Sequence, residues 1–98
     1  VPQYPLVPQP GGTQSTLNIT AATVIKALPG RVYTVSVLVA GSAAGAVYDS
    51  TSTSGNTAAD QIASLPNAVA FINTNAWPCA NGIVVAPGTG QTVAVAWS

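Results

Sequence analysis

The chain has no histidine, no methionine, one cysteine and only four charged residues in 98: Lys26, Arg31, Asp49 and Asp60. Each shortage removes a class of function. Without histidine there is no imidazole base, no proton shuttle near neutral pH and no histidine-ligated metal. One thiol cannot build a disulfide framework within the chain. Two cations cannot form the basic surface that holds a phosphate backbone, which excludes nucleic acid as the expected partner. Charged residues make up 4% of the chain, against roughly 25% in an ordinary soluble domain. Aromatic residues are also scarce, at 6%. Disorder would explain few aromatics, but disordered chains are charged and poor in β-branched residues, and this chain is neither.

Long apolar runs are missing too. The longest, around Val35 to Ala40, falls far short of the ~20 residues that span a bilayer. The N-terminus lacks the charged region and apolar stretch of a secretory signal. No membrane association is expected, and a lone cysteine fits a reducing compartment.

What is present is alanine, valine, glycine, serine and threonine. The chain is 48% hydrophobic with zero formal net charge and a mean hydropathy of +0.43. A neutral surface lacks the repulsion that keeps freely diffusing proteins apart. A domain of this length with few large side chains also has a thin core. Both features point to a protein packed against copies of itself or against a partner.

The chain divides at Gly11-Gly12. Residues 1–12, VPQYPLVPQPGG, place prolines 2, 5 and 8 at the three-residue period of a polyproline II helix. Val1, Tyr4 and Val7 then share a second edge, with Gln3, Leu6 and Gln9 on the third. The segment is expected to be an extended Pro-rich arm that lies on a neighbouring subunit through Tyr4, Leu6 and Val7. A frayed terminus, or a P-x-x-P ligand without its flanking cation, are the competing readings.

Residues 13–98 read as strands punctuated by turns. Thr16 to Thr20, Thr23 to Leu28 and Arg31 to Ala40 are expected strands, with Pro29-Gly30 closing a hairpin between the last two. On the longest of these, simple alternation puts Tyr33, Val35, Val37 and Val39 on one face. Val32, Thr34, Ser36 and Leu38 take the other, as in a strand covered on both sides. Ala46 to Thr51 and Gln61 to Leu65 follow, separated by a polar loop at Ser52 to Ala59. Ala68 to Asn73 continues the sheet or turns helical, and Trp77-Pro78 marks a bend. Gly82 to Ala86 is a buried strand, Pro87 to Gly90 a hairpin loop, and Gln91 to Ser98 the last strand. There Val93, Val95 and Trp97 alternate against Ala94 and Ala96, leaving an all-alanine back. Seven or eight short strands at about ten-residue spacing point to an all-β fold, expected to be a single antiparallel β-sandwich or jelly roll.

Candidate chemistry is sparse. Asp49 and Asp60 are the only carboxylates, and a glycosidase pair needs more polar contacts and a sugar platform than they bring. Turn or cap roles suit them better. A Ser–Lys nucleophile requires a desolvated Lys26, which instead reaches solvent or one of the aspartates. Gly41 to Gly45 and Pro87 to Gly90 lack the Lys-Ser/Thr and the helix of a phosphate loop, and read as turns. Asn18-Ile19-Thr20 matches a glycosylation sequon with no sign of secretion. Cys79 has no neighbouring cation in sequence and reads as a buried inert thiol, an intersubunit disulfide being the alternative. Trp77 and Trp97 are interface anchors or core residues before they are a carbohydrate platform. No catalytic residue, cofactor site or metal site is expected.

The stretch VIKALPGRVYTVSVLVAGSAAGAVYDS, followed by DQIASLP and by WPCANGIVVAPGTGQTVAVAWS, resembles small β-rich proteins encoded among the structural genes of tailed bacteriophages. The resemblance covers residues 24–98 and lies in the order of its turns: IKxxPGR, AGSxxGxVYD, QIAxxP and PCxxGIVVxPGTGQ. It implies a non-enzymatic virion component, a β-sandwich that assembles, often as a trimer. The expected function is therefore that of a capsid decoration (cement) protein. Its implied partners are the major capsid protein and other copies of itself. The competing expectation is a head-fibre or tail-fibre domain that binds host-surface glycans.

Overall fold

The computed structural model describes residues 13–98, and these form eight strands with no helix. The arm expected at residues 1–12, with Tyr4, Leu6 and Val7, lies outside the described residues. The strands are β1 (Gln14–Ile19), β2 (Thr23–Lys26), β3 (Gly30–Val39), β4 (Gly45–Tyr48), β5 (Gln61–Leu65), β6 (Ala70–Cys79), β7 (Ile83–Ala86) and β8 (Thr92–Trp97). They make two antiparallel four-stranded sheets, one ordered β1-β8-β3-β6 and the other β2-β7-β4-β5. Inward valines and isoleucines of both sheets, with Leu65 and Cys79, form one buried cluster, an arrangement consistent with a β-sandwich. Val32, Val35, Val37, Val47, Leu65, Ile83, Val85 and Val93 are fully buried in it. β-Branched side chains suit this geometry because they fill a pleated surface with little rotamer freedom to lose.

The chain changes sheet at nearly every step. Only β4 and β5 are consecutive and paired, and their loop is the longest, at residues 49–60. The hairpins expected at Pro29-Gly30 and Pro87 to Gly90 are therefore links between sheets. β2 pairs with β7 and β3 with β6 and β8, while β7 pairs with β2 and β4. A Pro-Gly corner reverses the chain equally well within a sheet or across the gap between two.

The faces of β3 also differ from simple alternation. Val32 lies opposite Trp97, yet Thr34 lies opposite Ala96, so β3 carries an extra residue at Tyr33. This bulge flips the phase, putting Val32 inside with Val35 and Val37. A second shift lies between Val37 and Val39, and Leu38 and Val39 are half exposed. The coverage expected on both faces of β3 is thus found on one. Residues 70–79 form one strand, so Trp77 and Pro78 sit inside β6, opposite Val32 and Arg31. The distortion comes earlier, at Asn75 (φ 55°) and Ala76 (φ 58°). Proline is tolerated there because β6 is an edge strand and needs no donor on its open side.

The links gather at two ends. Residues 27–29, 49–60 and 80–82 lie at one end, with the start of β1 and Ser98. Residues 20–22, 40–44, 66–69 and 87–91 lie at the other. Lys26, Arg31, Asp49 and Asp60, the entire charge of the chain, belong to the first end.

Candidate functional site

Asp49 follows the last residue of β4 and organises the charged end. Its Oδ1 accepts the N–H groups of Asn81 (2.8 Å) and Gly82 (3.3 Å), and its Oδ2 accepts that of Ala80 (3.0 Å). Burial alone raises the pKa of this carboxyl. The N–H donors of Asn81, Ala80 and Gly82 outweigh that effect and hold it below its ordinary 3.8. Gly82 is required because a Cβ there would stand 2.5 Å from the Ser50 carbonyl oxygen and 2.6 Å from that of Lys26. Asp49 N–H also donates to the Asp60 carbonyl (2.8 Å), so the two aspartates are neighbours through the backbone. The Asp60 carboxylate itself has no partner among the described residues. Asp49 therefore fills the expected turn role, and its lone pairs are committed to the 80–82 link.

The two cations share one cavity of about 400 Å³, lined by Lys26, Pro29, Gly30, Arg31, Pro78, Cys79 and Ser98. Arg31 Nη1 donates to the Ala76 carbonyl (3.0 Å) and steadies the left-handed bulge of β6. Lys26 is half-buried, with no hydrogen bond or ion pair among the described residues. Of the alternatives expected from the sequence, solvent or an aspartate, the contact with Asp49 or Asp60 is not made. Cys79 is buried, as its surroundings implied, and its thiol is pushed up to about 11 by burial and by the negative charge of Asp49. Among the described residues no group of three histidine, cysteine or acidic side chains is placed to hold a metal ion, and no helix is long and apolar enough to cross a membrane.

The tryptophans fall in one row across the first sheet, since Trp77 and Trp97 both lie opposite Val32. Their environments differ. Trp97 packs against the core and its indole N–H donates to Thr16 Oγ1 (2.9 Å). Trp77, on the edge strand, is half exposed.

A second feature is the outer face of the first sheet. Register places Ser15, Ala96, Thr34 and Asn73 in one row, and Ala94, Ser36 and Phe71 in the next. Cross-strand partners share a face, and this one is opposite the buried Val35–Val95 row. These two rows carry no charge, and the one charged residue of the face, Arg31 opposite Pro78, stands at the charged end. Phe71 is 70% exposed, Leu17 69% and Leu38 52%. The alanine back of β8 was legible in the sequence. Phe71 was missed as a surface residue because the alternation of β6 could not be phased without its register to β3.

Comparison of the chain with known protein families, with curated proteins and with solved structures gave no match.

Proposed function

We propose that this chain is a virion structural protein of a tailed bacteriophage that decorates the outer head shell. The observation that carries this reading is the middle of the outer face of the β1-β8-β3-β6 sheet, where two adjacent rows carry no charge. Small side chains at Ala94, Ala96, Ser36 and Thr34 allow close approach, while Phe71, Leu17 and Leu38 supply apolar area to bury. Roughly 300 Å² removed from water per copy is worth about 7 kcal/mol before ordering costs. Repetition over a shell multiplies that gain. Tyr4, Leu6 and Val7 of the N-terminal arm extend the contact to the major capsid protein in this proposal.

The strand orders 1-8-3-6 and 2-7-4-5 support a jelly roll, an architecture found in viral capsid domains and in lectins. That support is analogy at the level of fold. The test is occupancy on purified capsids lacking the protein. Phe71→Asp with Leu38→Asp, and separately deletion of residues 1–12, are each expected to abolish binding. Undiminished occupancy of the doubly substituted protein would refute the sheet face as the seat.

A second reading, a fibre domain that binds host glycans, is favoured by one observation. Half-exposed Trp77 and the serine-rich 49–60 loop lie at the same end of the molecule. Glycan-array binding that disappears in Trp77→Ala, with capsid binding absent, would select it over decoration.

A further inference from the structure

The chain's only two cations line one cavity, and one of its two carboxylates is left over. Asp49 is spent on the N–H groups of residues 80–82. Asp60, immediately before β5, has no side-chain partner among the described residues, and neither has Lys26 at the end of β2. β2 and β5 are the two edges of the same sheet. Lys26 pairs with Ile83, Val84 with Tyr48, and Tyr48 with Gln61, so Lys26 and Asp60 stand at the same level on opposite flanks. Three strand spacings, about 14 Å, separate the two edges. Among the described residues, folding within one chain therefore leaves both without a counter-ion.

We propose that the Lys26/Arg31 cavity is a carboxylate site, and that its occupant is Asp60 of a second copy placed side by side. The two cations on its wall suit the cavity to an anion. Lys26 on one flank and Asp60 on the other, at one level, define a head-to-tail contact, which closes into a ring when its rotation closes. Zero net charge removes the long-range repulsion that opposes such a ring. The ion pair sets the register and rotation of neighbours, and the apolar area around it supplies the strength. This inference rests on the reading that the protein works as assembled copies, and it names what joins them.

The test uses the full 98-residue chain without capsids, with association followed by sedimentation velocity and native mass spectrometry. The wild-type protein is expected to form a closed oligomer that weakens as salt rises. Lys26→Glu and Asp60→Lys are each expected to weaken association about tenfold. The double variant, which restores opposite charges across the contact, is expected to recover it, showing that both single variants fold. A wild-type protein that stays monomeric, or a double variant as weak as the singles, would overturn the proposal. So would Lys26→Glu that loses capsid binding while self-association stays intact, since the carboxylate would then belong to the shell. A ring that forms normally but leaves capsids bare would instead refute decoration and leave this contact standing.

Discussion

The two ends of the sandwich solve the same problem, turning the chain between sheets, with different materials. At the charged end one carboxylate gathers three N–H groups and a twelve-residue loop, 49–60, runs between β4 and β5. At the other end the links touch backbone to backbone. A Cβ on Gly41 would stand 2.0 Å from the Thr89 carbonyl oxygen, and one on Gly88 2.0 Å from that of Ala43. Ser42 N–H donates to Thr89 O (2.8 Å), tying residues 40–44 to 87–91. Buried Gln91 completes the junction, accepting from Gly88 N–H (2.8 Å) and donating to Pro66 O (2.8 Å). The lesson is that a chain with almost no charge can close one end with glycine contacts and neutral hydrogen bonds, keeping its few ionic groups for the other.

The strongest way to break this contrast is one methyl group at each end. Gly88→Ala is expected to cost about 3 kcal/mol, because the new Cβ meets backbone that cannot step aside. Gly55→Ala in the 49–60 loop meets nothing within 4 Å. Its cost of about 1 kcal/mol comes from the positive φ alone. Urea unfolding midpoints check both, and equal losses would erase the distinction. Next in size is Gln91→Leu, which leaves the buried Gly88 N–H and the part-buried Pro66 O without their partner and is expected to cost about 2 kcal/mol.

At the charged end, Asp49→Asn is expected to cost about 1 kcal/mol at neutral pH. Its clearer signature is pH dependence. The folded pKa of Asp49 is depressed, so its contribution is present above 3.8 and lost as pH falls through the folded value. The acid limb of a stability profile should flatten in the variant. The smallest effect concerns Cys79. With a folded thiol pKa raised to about 11 from 9.0, its contribution holds below pH 9 and drains away as pH climbs towards 11. Alkylation at pH 8 should be slow in the folded protein and prompt after denaturation.

Most strands were legible in the sequence, because alternation of valine with small polar residues is a local signal. Partnership was not. The Pro29-Gly30 and Pro87 to Gly90 corners have the chemistry of hairpins, and only tertiary pairing shows that they cross between sheets. The bulge at Tyr33 was hidden for a similar reason, since no residue type marks it and its cause is the mismatch with β8. The role of Asp49 was read correctly in kind, but its three donors lie 31–33 positions away. Gln91 passed unnoticed, because a glutamine opening a strand looks like any surface residue until its loop folds over it.

The edges of the sheets carry a last consequence. β6 is ten residues long and bears Phe71 on an open flank, and its first six residues, 70–75, lack the proline that would keep them from templating fibrils. Asn75 and Ala76 break its run of exposed amides with two left-handed residues, and Asn18 (φ 57°) does the same on β1 at the opposite edge. The other sheet ends in strands of only four and five residues. Every border is short or crooked, so copies crowded together at high local concentration have no straight ledge on which to stack endlessly.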